Sequence, residues 1–214
     1  MPKQTRGLVV ACLLLGVIAV SLYFGAGGRS QKIDLGPYNA LGAVTAEETA
    51  RLIGNKGQVL LLVPDTGPDK NPSVEAEVQT FQQALKKQRG LTLVVDRVPV
   101  TPMLMMATGG GVPPEQLFRS LEAHPNSGAL VLLFRFPQLA DDQIELLKKK
   151  DLKIVVVSSF YPDYQRLLDS QTIHLAIAPR QDAPEPGGPA PRTLRERFDQ
   201  DYTIFRAAGA IRSP

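Results

Sequence analysis

Acidic, basic and hydroxyl side chains follow the apolar segments of this sequence, where strands are expected to end. Carboxylates, guanidinium groups and hydroxyls can together hydrogen-bond a small polar ligand. Ligands of open α/β sheets bind beyond the carboxyl ends of the strands, so the sequence predicts a ligand-binding edge there. Ordinary polar loop residues at strand ends are the alternative interpretation. The predicted ligand-binding residues are Asp65, Thr66, Asp96, Arg97, Arg135, Ser158, Ser159 and Arg180.

The residue combinations of common catalytic, metal and cofactor sites are missing from the sequence. His124 and His174 lie far apart, and no metal-ligand motif surrounds either of them. No Gly-x-Ser-x-Gly motif is present, and the single cysteine, Cys12, lies in an apolar segment. The glycines at 109–111 lack the Lys-Ser/Thr pair of a phosphate-binding loop. The sequence therefore predicts no metal, no cofactor and no enzymatic activity.

Apolar segments of strand length alternate with amphipathic helices along residues 45–178. The first such segment, Val59 to Val63, is apolar throughout, which is typical of a strand buried on both faces. The alternation predicts a doubly wound α/β fold: a parallel five-stranded sheet with helices on both faces. Right-handed crossovers favour the strand order 2-1-3-4-5. The five predicted strands span residues 59–63, 91–95, 129–134, 154–157 and 173–178.

The N-terminal segment predicts a membrane anchor. No charged residue lies between Leu8 and Ala26, and these residues would span about 28 Å as a helix, close to the hydrocarbon core of a bilayer. We therefore expect a transmembrane helix within residues 1–27, with the remainder outside the cytoplasm. A signal peptide cleaved after Gly28 and a lipoprotein modified at Cys12 are the alternatives.

The rest of the chain is predicted to contain four parts. Residues 28–44 form a glycine-containing spacer, and a capping box beginning at Thr45 opens the domain of residues 45–178. Residues 179–192 are rich in proline and form a linker. Residues 193–214 contain an amphipathic helix that docks on its own domain or on a partner. Its predicted partner-binding face consists of Leu194, Phe198, Tyr202 and Phe205.

The charge distribution argues against nucleic-acid binding. The net charge is +3, but residues 33–178 carry 14 basic and 16 acidic side chains. The excess positive charge flanks the apolar N-terminal segment, and the domain has no basic stripe for phosphate contacts.

Residues 56–178 contain, in order, the strand Val59 to Val63, the loop ending at Asn71-Pro72, and the helix Ser73 to Gln88. In this pattern and order the segment resembles the first lobe of the type I periplasmic sugar-binding proteins. The segments Leu91 to Val95, Gly128 to Leu132 and Ile154 to Ser158 also fit the family's pattern. The resemblance implies a sugar or similar solute as ligand. It also implies a second lobe, yet only a linker and a helix follow Ala178, and Ser73 and Val74 stand where the family usually has a sugar-stacking aromatic.

Two functional hypotheses follow from these observations. The first is a membrane-anchored extracytoplasmic domain that recognises a sugar or similar polar solute, completed by a homodimer or a partner. The second is a structural or protein-interaction module of the cell envelope that keeps the fold without binding a small ligand.

Overall fold

The computed structural model describes residues 33–68, 70–159, 164–182 and 190–208. The chain divides into two units, Met1–Asp34 and Leu35–Pro214, and the second contains the whole folded domain described below. The predicted anchor, its alternatives and Cys12 lie outside the described residues. Among the described residues, no helix has the length and apolar character needed to cross a bilayer.

The domain consists of six strands and seven helices in the described ranges. The strands are β1 (Gly57–Asp65), β2 (Leu91–Pro99), β3 (Ser127–Leu132), β4 (Lys153–Val157), β5 (Leu175–Pro179) and β6 (Tyr202–Arg206). The helices are α1 (Gly36–Leu52), α2 (Pro72–Lys86), α3 (Pro102–Ala107), α4 (Pro114–Ala123), α5 (Asp141–Lys149), α6 (Gln165–Asp169) and α7 (Leu194–Asp201).

The sheet has the order β2-β1-β3-β4-β5-β6. The first five strands are parallel and lie in the predicted order 2-1-3-4-5. The expectation of a five-stranded, wholly parallel sheet is wrong, because β6 adds an antiparallel strand along β5. Its pairing runs from Leu175 opposite Arg206 to Pro179 opposite Tyr202, and it covers an edge that would otherwise be unpaired.

Two hydrophobic cores lie on opposite faces of the sheet. In β1, Val59, Leu61 and Val63 face the core beneath α1, α2 and α7, whereas Leu60 and Leu62 face the core beneath α4, α5 and α6. All five side chains are fully buried. This alternation explains why the strand is apolar throughout, as expected for a parallel strand covered on both sides.

Helix α1 begins nine residues before the predicted start at Thr45. The residues expected to form a spacer contain Gly36 and Pro37, and proline is well accommodated in a first helical turn. Thr45 lies in the middle of the helix and is fully buried, so it is not an N-cap. The predicted spacer is therefore wrong over residues 36–44.

The predicted C-terminal helix ends early. Thr193 caps α7 by accepting a hydrogen bond from the backbone N–H of Glu196 at 3.1 Å, but the chain becomes strand β6 at Tyr202. Aromatic and β-branched residues in 202–205 favour this change. Phe198 is buried in the domain's own core, so α7 docks on its own domain, and Tyr202 and Phe205 do not share its face.

Candidate ligand-binding site

A cleft of about 280 Å³ lies at the carboxyl ends of the central strands, on the side covered by α1 and α2. This is the sheet edge at which α/β folds generally bind ligands. Three groups of residues line it: the strand ends, the first turns of α1 and α2, and the start of β6. The lining residues are Tyr38, Leu41, Asn71, Ser73, Val74, Glu77, Leu133, Val157, Ser158, Ser159, Pro179 and Tyr202.

The first turns of α2 supply one wall of the cleft. Asn71 caps the helix, because its Oδ1 accepts a hydrogen bond from the backbone N–H of Ser73 at 3.0 Å. Ser73 and Val74 lie four and three residues before Glu77, so each of them shares a face of the helix with Glu77. The helix thus presents a hydroxyl, an apolar side chain and a carboxyl group to the same cleft.

Glu77 is the most unusual residue of the cleft. It is only 7% exposed, and its Oε1 atom has no hydrogen-bond partner in the described part of the chain. Burial raises the pKa of the Glu77 carboxyl to about 8. The protonated form therefore predominates at neutral pH, when no ligand is bound. Buried polar atoms are nearly always hydrogen-bonded, so an unpartnered one facing a cleft marks a candidate site.

Two tyrosines approach the cleft from different elements, Tyr38 from α1 and Tyr202 from the start of β6. Burial raises the pKa of the Tyr202 hydroxyl, and the negative charges of Glu77 and Tyr38 raise it further. The Tyr202 hydroxyl is therefore a neutral hydrogen-bond donor over the physiological range. Its ring packs on Phe198 with the ring centroids 5.5 Å apart, which fixes its orientation.

Of the predicted ligand-binding residues, Ser158 and Ser159 line this cleft. They follow β4 directly, as expected, and the backbone N–H of Ser158 donates to the carbonyl of Ile177 at 2.9 Å. Ser159 is exposed at the mouth of the cleft. Their role in ligand binding remains a prediction.

The placement of Asp96 and Arg97 at a strand end is wrong, because β2 continues to Pro99. Asp96 accepts a hydrogen bond of 2.5 Å from the hydroxyl of Ser120. Arg97 makes a two-pronged ion pair with Glu75, at 2.8 and 2.9 Å. Both residues line a separate groove along β2, at the edge of the sheet.

The remaining predicted residues lie outside the cleft and have local partners. Oδ1 of Asp65 accepts a hydrogen bond from the backbone N–H of Gly67, and Thr66 beside it is exposed. Arg135 donates to the carbonyl of Gly109 at 3.0 Å and lines a neighbouring cleft of about 260 Å³. Arg180 pairs with exposed Asp182 at 2.9 Å. We therefore centre the candidate site on the cleft that contains Glu77.

Five polar or aromatic residues of the cleft were not among the predicted ligand-binding residues: Tyr38, Asn71, Ser73, Glu77 and Tyr202. One signal for them was present. Glu77 lies three residues after Val74 and four before Phe81, so a carboxylate interrupts the apolar face of α2. Tyr38 and Tyr202 had no such signal, because one was assigned to a spacer and the other to a helix.

The described lining residues of the cleft include an acidic side chain but no basic one. Among the described residues that line it, Glu77 is the single acid, and no lysine, arginine or histidine is present. No group of three metal-ligating side chains occurs in the described ranges. The cleft can therefore offer hydroxyls, an amide, two aromatic rings and one carboxyl group.

No protein-family model matches the chain, and no curated protein is significantly similar to it. Solved structures with a similar fold include an ABC-transporter solute-binding protein from Burkholderia graminis in complex with D-arabinose. It has a TM-score of 0.54 and 14% identity, covering 80% of this chain and 60% of that one. Another is GanP, a glucose-galactose binding protein from Geobacillus stearothermophilus, with a TM-score of 0.51 and 15% identity, covering 81% and 61%.

A third similar structure is the XylFII–LytSN complex, with a TM-score of 0.52 and 16% identity, covering 80% of this chain and 60% of that one. The chain thus spans about 60% of the length of these proteins. At sequence identities this low, the structural similarity demonstrates a shared fold alone. The domain has the α/β fold of the periplasmic sugar-binding proteins, in the form of a single lobe.

Proposed function

We propose that this protein is a membrane-anchored, extracytoplasmic, single-lobed domain that binds a small sugar or similar polar solute without converting it. The observation that carries the proposal is the strand-end cleft, in which the buried carboxyl of Glu77 lacks a partner. Of the proteins of similar fold named above, one was solved with D-arabinose and another is described as glucose-galactose binding.

The chemistry of the cleft supports a small polar ligand. Asn71, Ser73 and Ser159 offer neutral donors and acceptors, and the rings of Tyr38 and Tyr202 offer flat apolar surfaces. A volume of about 280 Å³ suits a ligand no larger than a monosaccharide, since drug-sized ligands occupy sites of roughly 300–1,000 Å³.

Ligand binding is tested by titration calorimetry of the detergent-purified full-length protein with arabinose, glucose, galactose and other pentoses and hexoses. Ser159→Phe places a ring at the mouth of the cleft and should weaken binding at least tenfold. Ser170→Phe is the matched control, because Ser170 is also exposed but lies near the opposite, amino-terminal edge of the sheet. The proposal fails if no sugar releases heat, or if both variants bind as the wild type does.

The anchor is proposed from the uncharged segment Leu8 to Ala26. The full-length protein should then remain in the membrane fraction after alkaline carbonate extraction. Leu13→Arg together with Val17→Arg should release it, because charges are costly in the hydrocarbon core. Gln4→Arg, placed before the apolar segment, is the control. Recovery of the wild-type protein in the soluble fraction would refute the anchor.

A protein-interaction function is the second candidate, favoured by two exposed methionines on α3. Met103 and Met106 are 81% and 84% exposed, and methionine is common at adaptable binding surfaces. XylFII, a protein of similar fold, forms a complex with LytSN. Met103→Ser with Met106→Ser should abolish a cross-linked species in intact cells, whereas Leu146→Ser, half-exposed on α5, should not. An unchanged cross-linking pattern would count against this function.

A further inference from the structure

We propose that the strand-end cleft selects a cationic ligand: a hydroxylated primary amine of monosaccharide size, such as an amino sugar, with its ammonium group against Glu77. This inference rests on the proposed function, because it assumes that the cleft binds a solute. It goes further by naming the chemical class of that solute and the residue that discriminates it from a neutral sugar.

The first argument is the contrast between two buried glutamates. Glu48 is fully buried, and it forms ion pairs with Arg51, Arg195 and Arg206 at 2.9, 3.3 and 3.0 Å. Glu77 is also buried, yet no arginine or lysine of the described residues pairs with it. The fold thus supplies cations to the carboxylate that has a structural role and leaves the one in the cleft without any.

The second argument is the sign of the charge that the cleft can carry. An ammonium group has three N–H donors, and one of them would satisfy Oε1 of Glu77 with a charge-assisted hydrogen bond. A phosphate or carboxylate would meet no positive side chain among the described lining residues. The ligand-bound form of Glu77 is therefore the carboxylate, and the proton that it carries in the empty cleft is released on binding.

The third argument is the position of the aromatic rings. Tyr38 and Tyr202 are the charged or titratable groups of α1 and β6 that line the cleft with Glu77. Both Glu77 and Tyr38 influence the pKa of Tyr202, so the three groups share one electrostatic environment. Tyrosine rings attract ammonium groups that lie within about 6 Å of the ring centre, and the attraction is strongest when the site is desolvated. A carboxylate beside two tyrosines is therefore suited to an organic cation.

The inference is tested by calorimetry of the full-length protein at pH 7 with three probes: glucosamine, glucose and N-acetylglucosamine. Glucosamine should bind at least tenfold more tightly than the other two, since they lack the ammonium group. Glu77→Gln should reduce the affinity for glucosamine to that for glucose. Glu47→Gln is the matched control, because Glu47 is an exposed glutamate on α1. Titrations in buffers of different ionisation enthalpy should detect the release of close to one proton, which Glu77→Gln abolishes.

The outcomes separate this inference from the proposed function. Tight binding of glucose or N-acetylglucosamine, with glucosamine no better, would overturn the inference and leave the proposed function intact. Glu77-dependent binding of cyclohexylamine in place of any sugar would support the cation site and refute the sugar-binding function. If neither the three sugars nor cyclohexylamine binds, both the inference and the proposed function are overturned. Equal affinities of wild type and Glu77→Gln for glucosamine would also overturn the inference.

Discussion

At the scale of single residues, Glu77 couples the cleft to the stability of the domain. Burial raises the pKa of its carboxyl to about 8, from an ordinary value of 4.5. Between these two pH values, the Glu77 carboxyl is protonated in the folded state and ionised in the unfolded state. The resulting stabilisation is fully present below pH 4.5 and is lost as the pH rises through 8.

Glu77→Gln should remove most of the pH dependence of the free energy of unfolding between pH 6.5 and 8. Over this range the wild type should lose about 2 kcal/mol, at 1.4 kcal/mol for each pH unit. Urea unfolding at pH 6.5 and 8 measures the difference, and Glu47→Gln should behave as the wild type. A wild-type protein with equal stability at both values would show that Glu77 ionises normally.

The lower limit of pH 6.5 is set by His174. Burial lowers the pKa of its imidazole to about 4, and the charge of Lys153 lowers it further. A group with a depressed pKa of this kind destabilises the fold as the pH falls from 6.5 to 4, because the unfolded state takes up the proton first. The two effects have opposite signs below pH 6.5, so the Glu77 contribution is measured above it.

The sequence predicted where a site lies better than which residues form it. Apolar strands followed by polar residues indicated the carboxyl edge, and Ser158 and Ser159 lie in its cleft. Asp96 was misplaced because polar residues also occur inside β2, where Ser120 satisfies the carboxylate. Strand β2 lies at the edge of the sheet, where no other strand pairs with its outer side. It can therefore continue beyond its apolar residues into polar ones.

At the scale of elements, the contact between α1 and α2 depends on one glycine. A Cβ atom on Gly42 would approach the backbone carbonyl oxygen of Glu77 to an unacceptably short distance. Helices can approach this closely only where a side chain is absent. The same crossing positions Glu77, so the packing of α1 and the geometry of the cleft are linked.

Gly42→Ala should destabilise the domain by about 2 to 3 kcal/mol, because the two helix backbones must separate. In an exposed helix the same change would stabilise by about 1 kcal/mol, so the sign of the effect is diagnostic. Gly128→Ala is the control, since its new Cβ would lie 3.8 Å from its nearest neighbour, the carbonyl oxygen of Gln58. Urea unfolding measures both variants, and a neutral or stabilising Gly42→Ala would refute the close contact.

Elements that follow from local patterns were predicted, and those that depend on tertiary contacts were not. Buried parallel strands such as Val59 to Val63 have an apolar run that predicts them directly. The start of α1 was missed because its glycines serve packing, as at Gly42, and resemble a spacer in the sequence. Strand β6 was missed because Tyr202 and Phe205 also fit a helical spacing, and the free edge of β5 decides the outcome.

At the scale of the whole molecule, the last two elements close the domain onto its first helix. Strand β6 extends the sheet beyond β5, and Phe198 of α7 fills the core beneath α1. The ion pairs of Glu48 connect α1 with Arg195 on α7 and Arg206 on β6. The chain leaves the parallel sheet after Pro179, and β6 and α7 then extend the sheet and the core that β1 to β5 form.

Arg195→Met with Arg206→Met should therefore loosen the C-terminal segment. The double change leaves a buried carboxylate with Arg51 as its remaining partner, and we expect a loss of about 1 to 2 kcal/mol, since the arginines are partly exposed. Faster amide hydrogen exchange in β5 and β6 than in β1 would locate the effect. Arg192→Met, an exposed change beside α7, is the control. Adding Glu48→Gln to the double variant removes the buried charge and should restore part of the stability. If it destabilises further, the buried charge of Glu48 is not what holds the segment in place.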